Sequence, residues 1–320
     1  GSLYDYTISV NDIIDGDPIT MTATNKPVWL TLDNNSHSID FDGTNDYVSV
    51  PGNVISTETL TFETWIYPHN VSGWRVIRNE AGWGAGMIHF QIANGLLEFS
   101  LHGNNPTDQW FSHNFQTNTW THIAVIYEGQ NNRVRLYVNG TLTEQLSYSS
   151  TRTAEIADFQ FGNWANSRPF DGLIADFRIW NDARTESEIQ NNMYTELNGN
   201  ETGLVGYWNF NEGSGTTVTD QTSNGNNGTI TGAAWSNDVA SPSYVLNGTP
   251  GPLDGGLHNV ILSANDSNGG VITQSFTVAV SVTHLDIDGT SGFRILSSPI
   301  SGAIYSDLLD ELWTQGAVGS

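Results

Sequence analysis

The 320-residue chain contains no cysteine, which excludes disulfides, a thiolate nucleophile and any cysteine-ligated zinc site. Basic residues are scarce: 10 Lys plus Arg stand against 34 Asp plus Glu, a formal charge of -24. A surface of that sign repels phosphate backbones and anionic lipid, so nucleic acid is not an expected partner. No apolar run approaches the roughly 20 residues of a membrane span and no basic-then-apolar leader opens the chain, so membrane insertion is not expected. Gly1-Ser2 reads as a vector-derived scar, which would make the sequence an internal segment of something longer. Catalytic signatures are missing as well. The 8 His residues show neither H-x-H nor H-E-x-x-H spacing, and there is no G-x-S-x-G elbow, no phosphate-binding loop and no E-x-D-x-x-E strand motif. No enzymatic activity is expected.

What the chain does hold is 33 Gly, 11 Trp, 11 Tyr and 13 Phe among abundant Thr, Ser and Asn, the composition of many short strands joined by polar turns. The fold class is all-β, and the length predicts two domains with part of a third. So large a surplus of carboxylates serves solubility, or else it is partly neutralised by a divalent cation that prefers oxygen ligands, such as calcium.

At the N-terminus Tyr4, Tyr6, Ile8 and Val10 alternate on one strand face before an acidic turn with Asp12, Asp15 and Asp17. Near the other end Val260, Leu262 and Ala264 form one strand face, a DSNGG turn follows, and Phe276, Val278, Val280 and Val282 form the next. Neither end supplies enough strands to bury two sheet faces, but together they supply about seven, enough for a small sandwich. Residues 3–33 and 239–283 are therefore expected to form one discontinuous domain around an inserted domain at 34–238, with 284–320 the start of a further module. Inside the insertion, runs beginning at Leu60, Met87, Leu96, Trp120 and Arg133 alternate as strands. Asn139-Gly140 marks a tight hairpin turn. Thr185 with Glu188 three residues later marks a capped helix burying Ile189 and Met193.

Four blocks carry a family resemblance: SIDFDGTNDYVSVP from Ser38, LTFETWIYP from Leu60, FDGLIADFRIWNDARTESEI from Phe170 and LVGYWNFNEGSGTTVTDQTSNGNNGTITGAAW from Leu204. Taken together they make 34–238 resemble the laminin-G-like, concanavalin-A-like jelly rolls related to pentraxins, although the last block more often opens such domains than closes them. The flanks, with Asp15-Gly16-Asp17, Pro27 to Leu30 and Asp266 to Gly270, resemble the cadherin-like or immunoglobulin-like repeats of bacterial adhesins. The resemblances imply a secreted or cell-surface bacterial protein, monomeric, working beside neighbouring modules of the same polypeptide. They also imply calcium at a sandwich rim, where the FDG turn meets the D-x-x-x-N-G-N-N-G loop: Asp42, Asp220 and Asn226, with Asn45 and Asp46 as further ligands. The other reading of these residues is Asx turns that satisfy backbone amides. Cadherin-like repeats imply a weaker second set, Asp12, Asp15, Asp17 and Asp266.

Sugars present an apolar ring face and a polar edge, so exposed aromatic planes beside amides and carboxylates suit them. Trp74, Trp83, Trp110 and Trp164 are expected in Gly- and Asn-rich loops and are the candidate ligand residues, whereas Trp65, Trp120, Trp180 and Trp208 sit in alternating strands and read as core. In GWRVIRNEAGWGAG, Arg75, Arg78 and Glu80 lie between two of these aromatics; a ligand edge is one reading and a structural ion pair the safer one. The function expected is adhesion or binding of an extracellular glycan or cell-surface ligand. The rival is an architectural spacer in an extracellular filament.

Overall fold

The computed structural model describes residues 3–9, 20–52, 55–80, 82–164, 167–240, 242–265 and 270–281, with the backbone of 284–286 and 294–296. Asp12, Asp15, Asp17 and Asp266, the second calcium set, lie outside the described residues. All strand pairings are antiparallel, and the chain divides into two compact units, with Asn35–Pro242 in one and the flanking segments in the other.

The smaller unit pairs Tyr4–Ser9 and Leu30–Asn34 on either side of Ser243–Gly248, and Thr20–Asn25 and Val271–Val280 on either side of Gly256–Asn265. Each three-stranded sheet thus mixes segments from both flanks or joins them through a central strand. Leu30 and Leu246 from the first sheet and Val260, Leu262, Val278 and Val280 from the second form one buried cluster. Alternation drives this: the residues between them are less buried, Ile261 and Ser263 half-buried and Ala279 exposed. Asn34 is the register partner of Tyr244, so the strand that ends at Asn34 lies beside the strand that begins at Ser243.

The larger unit is a two-sheet sandwich. One sheet runs Asp108–Asn114, Leu96–Leu101, Ile88–Ala93, Trp74–Glu80, Phe159–Phe161, Tyr47–Val50, Gly228–Thr231, Thr217–Val218. The other runs Thr141–Ser147, Arg133–Val138, Thr121–Glu128, Thr59–Pro68, Asp171–Trp180, Ser38–Asp42, Ala234–Ser236, with Leu204–Trp208 pairing the end of Asp171–Trp180. Between them lies an aromatic-rich core that includes Phe41, Phe62, Phe90, Phe99, Phe177 and Trp208. Phe62 meets Phe90, Phe99 and Phe177 at centroid distances of 6.0, 6.5 and 5.9 Å, the offset and tilted geometries that ring quadrupoles favour.

Local chemistry fixes the joints. Asn139 and Gly140 take positive φ (48° and 75°) between Arg133–Val138 and Thr141–Ser147, as a type I′ turn requires. Thr185 and Glu188 form a full capping box at the head of helix Glu186–Asn192, and Ile189 is buried beneath it. Gly172 has φ 143°, and a Cβ there would stand 2.2 Å from the Tyr67 carbonyl oxygen, which explains the glycine of the FDG block at Phe170. The late block finds places in both sheets: Gly228–Thr231 pairs Tyr47–Val50, and Ala234–Ser236 pairs Ser38–Asp42. Trp65, Trp120, Trp180 and Trp208 are all buried, as their strand positions predict. Arg78 and Glu80 form an ion pair of 2.6 Å, both ends fully buried.

Candidate functional site

On Ile88–Ala93 and Leu96–Leu101 the inward residues Ile88, Phe90, Ile92, Leu97, Phe99 and Leu101 belong to the sandwich core. The period of two therefore sends His89, Gln91, Glu98 and Ser100 to the opposite, outer face. Trp110, opposite Glu98 in the neighbouring strand, points the same way, since Phe111 beside it is core.

This outer face carries all four tryptophans singled out from the sequence, joined in one row. The rings of Trp110 and Trp74 meet edge to face at 5.6 Å. The guanidinium of Arg168 lies over Trp74 at 4.5 Å and over Trp164 at 4.8 Å. Trp164 meets His89 at 5.2 Å, His89 meets Trp83 at 4.2 Å, and Trp83 stacks on His102 at 5.0 Å with planes 15° apart. Trp74, Trp83 and Trp110 are 41%, 40% and 39% exposed, while the polar groups beneath them, His89, Gln91, Glu98 and Ser100, are all buried.

The loop bearing Trp164 and Arg168 is pinned to the sheet by its backbone. Val76 donates to the Arg168 carbonyl (3.1 Å), Phe170 to that of Gly162 (2.7 Å), and Arg75 Nη1 to that of Pro169 (3.0 Å). Trp83 sits on a loop in which Gly86 donates to the His102 carbonyl (2.8 Å) and His102 to that of Met87 (3.0 Å). Arg168 Nη1 donates to Gln91 Oε1 (3.0 Å), the Gln91 amide nitrogen donates to Glu98, and Ser100 Oγ donates to the other Glu98 oxygen (2.9 Å). Burial pushes the Glu98 carboxyl above its ordinary range, against those two hydrogen bonds. Burial, then the neighbouring Arg168 and Arg78, lowers His89 to about 4, so its ring is neutral at pH 7. Its Nε2 is buried and has no partner among the described residues.

The sequence reading missed Arg168, His89, Gln91, Glu98 and His102. The alternation in MIHFQI and LLEFSL marks His89, Gln91 and Glu98 as the face opposite the core; nothing local marks Arg168.

The rim candidates lie in two turns. Asp42, exposed, accepts from the Thr44 amide (2.8 Å), Asn45 is exposed, and Asp46, buried, accepts from the Asp42 amide (2.9 Å). Asp46 abuts Gly232, just past Thr231. Asp220 sits before the other end of that strand, its Oδ2 accepting from the Asn226 amide (2.9 Å) and its own amide donating to Asn227 (2.9 Å). Asp220 also accepts from the Tyr207 amide (3.2 Å), the Thr222 amide (3.0 Å) and the Thr222 hydroxyl (2.8 Å). Its oxygens accept from four groups inside the fold, the pattern of an Asx turn. Among the described residues no group of three or more His, Asp or Glu could hold a metal.

A second polar cluster lies on the other sheet and serves the fold. Arg178 grips both oxygens of Asp176 (2.6 and 2.8 Å) and donates to the carbonyls of Asn192 (2.9 Å) and Thr195 (2.7 Å), tying down the chain just after the helix. Glu63 lies 3.7 Å from His122 and 4.0 Å from Arg178, all buried.

Residues 42–190 match the family described as the concanavalin A-like lectin/glucanases superfamily, in its laminin G form. The larger unit has a concanavalin-A-like sandwich fold. Among solved structures, a Bacteroides ovatus protein provisionally described as carbohydrate binding superimposes with a TM-score of 0.52 at 15% identity, covering 73% of this chain and 92% of that one. A heptameric SAP-like pentraxin from Limulus polyphemus gives 0.42 at 13% identity (49% and 82%), and the sialyllactose-bound CBM40 of a Ruminococcus gnavus sialidase gives 0.39 at 12% (50% and 97%). No curated protein matches the sequence. No described helix is long and apolar enough to cross a membrane.

Proposed function

We propose that the larger unit is a non-catalytic carbohydrate-binding module of an extracellular bacterial protein, inserted into a small sandwich that carries it beside neighbouring modules. The observation that carries this reading is the row of half-exposed tryptophans on one sheet face, over buried amide, imidazole and carboxylate groups. Tryptophan planes complement the apolar faces of pyranose rings, and the polar groups between them complement the hydroxyl edges. A row of several rings fits an oligosaccharide better than a single sugar. Hydrolysis would need two accessible carboxyl groups astride the bond, whereas Glu98 is buried with both oxygens engaged. The family likeness, which covers lectins, supports the same reading.

The test is a broad glycan array probed with calcium and again with EDTA. Retention of an oligosaccharide is expected, and Trp83→Ala or Trp164→Ala should weaken it tenfold or more, as loss of an anchoring aromatic does, with the thermal midpoint little changed. Silence in both conditions would leave the unit as an architectural spacer.

A further inference from the structure

We propose that the saccharide taken by this face bears a carboxylate, and that Arg168 receives it; the inference rests on the binding reading above. In a chain with 34 acidic and 10 basic residues, an arginine without a carboxylate needs a reason. Arg78, Arg133, Arg135, Arg178 and Arg184 each reach one within 4.0 Å, and Arg168 reaches none among the described residues. Arg75, which anchors the same loop through the Ser72 and Pro169 carbonyls, has none either. Arg152, which donates to the Gly103 carbonyl, also reaches no carboxylate among the described residues, but Arg168 and Arg75 are the two such cations that stand beside Trp74, on a molecule that is otherwise strongly negative.

The guanidinium is also oriented. Trp74 and Trp164 lie against it, and Gln91 accepts one of its five N–H groups. Gln91 is itself fixed by donating to Glu98. Glu98 is the carboxylate on this face nearest to the relay, and it is separated from Arg168 by that amide and satisfied by Gln91 and Ser100. Arg168 therefore keeps in-plane donors in the fork geometry that pairs bidentately with a carboxylate. A lysine could not be held between two rings in that way. The neutral His89, its residue only 6% exposed, adds no competing charge, and its buried Nε2 has no partner among the described residues within the same row. The acid could belong to a sialic acid or to a uronic acid; the chemistry seen by Arg168 is the same.

The experiment titrates the full chain with matched pairs, sialyllactose against lactose and an oligogalacturonate against its methyl ester, which changes the charge and keeps the backbone. At least one acid should bind about tenfold or more tightly than its neutral partner, the scale of a charge-assisted hydrogen bond. Arg168→Gln should bring that ratio close to one, and Arg168→Lys, which keeps the charge and loses the fork, should leave it in between. Which pair responds identifies the source of the acid. Equal binding of acid and ester, or an acid preference that survives Arg168→Gln, overturns the inference. If neutral glycans bind and are lost in Trp83→Ala while Arg168→Gln has no effect, only this inference fails; if no glycan of either kind binds, the binding reading fails with it.

Discussion

Glu63 and His122 face each other at 3.7 Å inside the larger unit, and burial moves both towards their neutral forms. Burial raises Glu63 to about 7, against the pull of Arg178 and Arg184, and lowers His122 to about 3, with Arg178 adding to the shift. For Glu63 the folded state binds the extra proton between its ordinary value of 4.5 and about 7, so its contribution is full at low pH and is lost as pH rises through that window. For His122 the folded state refuses a proton that the unfolded chain takes below 6.5, so its contribution is lost as pH falls from there towards about 3. The two slopes oppose one another from 4.5 to 6.5, with Glu63 acting alone just above and His122 alone below. Glu63→Gln should remove the first slope: between pH 4.5 and 8 the stability difference should move in the variant's favour by up to about 3 kcal/mol, measured by urea unfolding. A difference that stays constant with pH would refute burial as the cause. At this scale legibility followed exposure. Gly- and Asn-rich surroundings marked Trp83 and Trp164 as loop residues, whereas Trp74 and Trp110, read the same way, stand on strands Trp74–Glu80 and Asp108–Asn114 and are exposed because they face away from the core. Arg168 gave no signal, because its partners Gln91, Trp74 and Trp164 are 77, 94 and 4 residues away in sequence and meet only through the sheet.

Short elements were legible where their chemistry is local. The Asn139-Gly140 turn and the Thr185–Glu188 capping box are written in two and four residues, and the structure has both. The turn between Thr217–Val218 and Gly228–Thr231 was open to two readings, because the D-x-x-x-N-G-N-N-G pattern from Asp220 suits both an ion and a ring of amides. What the sequence could not show is long-range: the Tyr207 amide reaches Asp220, and Trp208 Nε1 reaches the Asn226 carbonyl (3.0 Å). Asp220 therefore staples this turn to Leu204–Trp208. Asp220→Ala strands several buried donors at once and should cost about 2–4 kcal/mol. The same loss is expected in calcium and in EDTA by thermal unfolding; a cost that appears only with calcium would restore the metal to this turn.

For the molecule as a whole, alternation at both ends of the chain was enough to suggest one discontinuous domain, whereas its strand partners could not be read, since period two says which face is buried and nothing about the neighbour. The pairing of Asn34 with Tyr244 supplies that detail: residues 35–242 stand where a hairpin loop would. Replacing them with a short turn should leave a folded smaller unit with β-type circular dichroism and a cooperative melt, because its cluster of Leu30, Leu246, Val260, Leu262, Val278 and Val280 comes entirely from the flanks. An unfolded product would count against a discontinuous domain. The same pairing has a mechanical consequence. Tension drawn through the two flanks reaches the inserted residues 35–242 only after the ladder between Leu30–Asn34 and Ser243–Gly248 has parted, so that ladder acts as a fuse and the tryptophan-bearing face is off the load path while it holds.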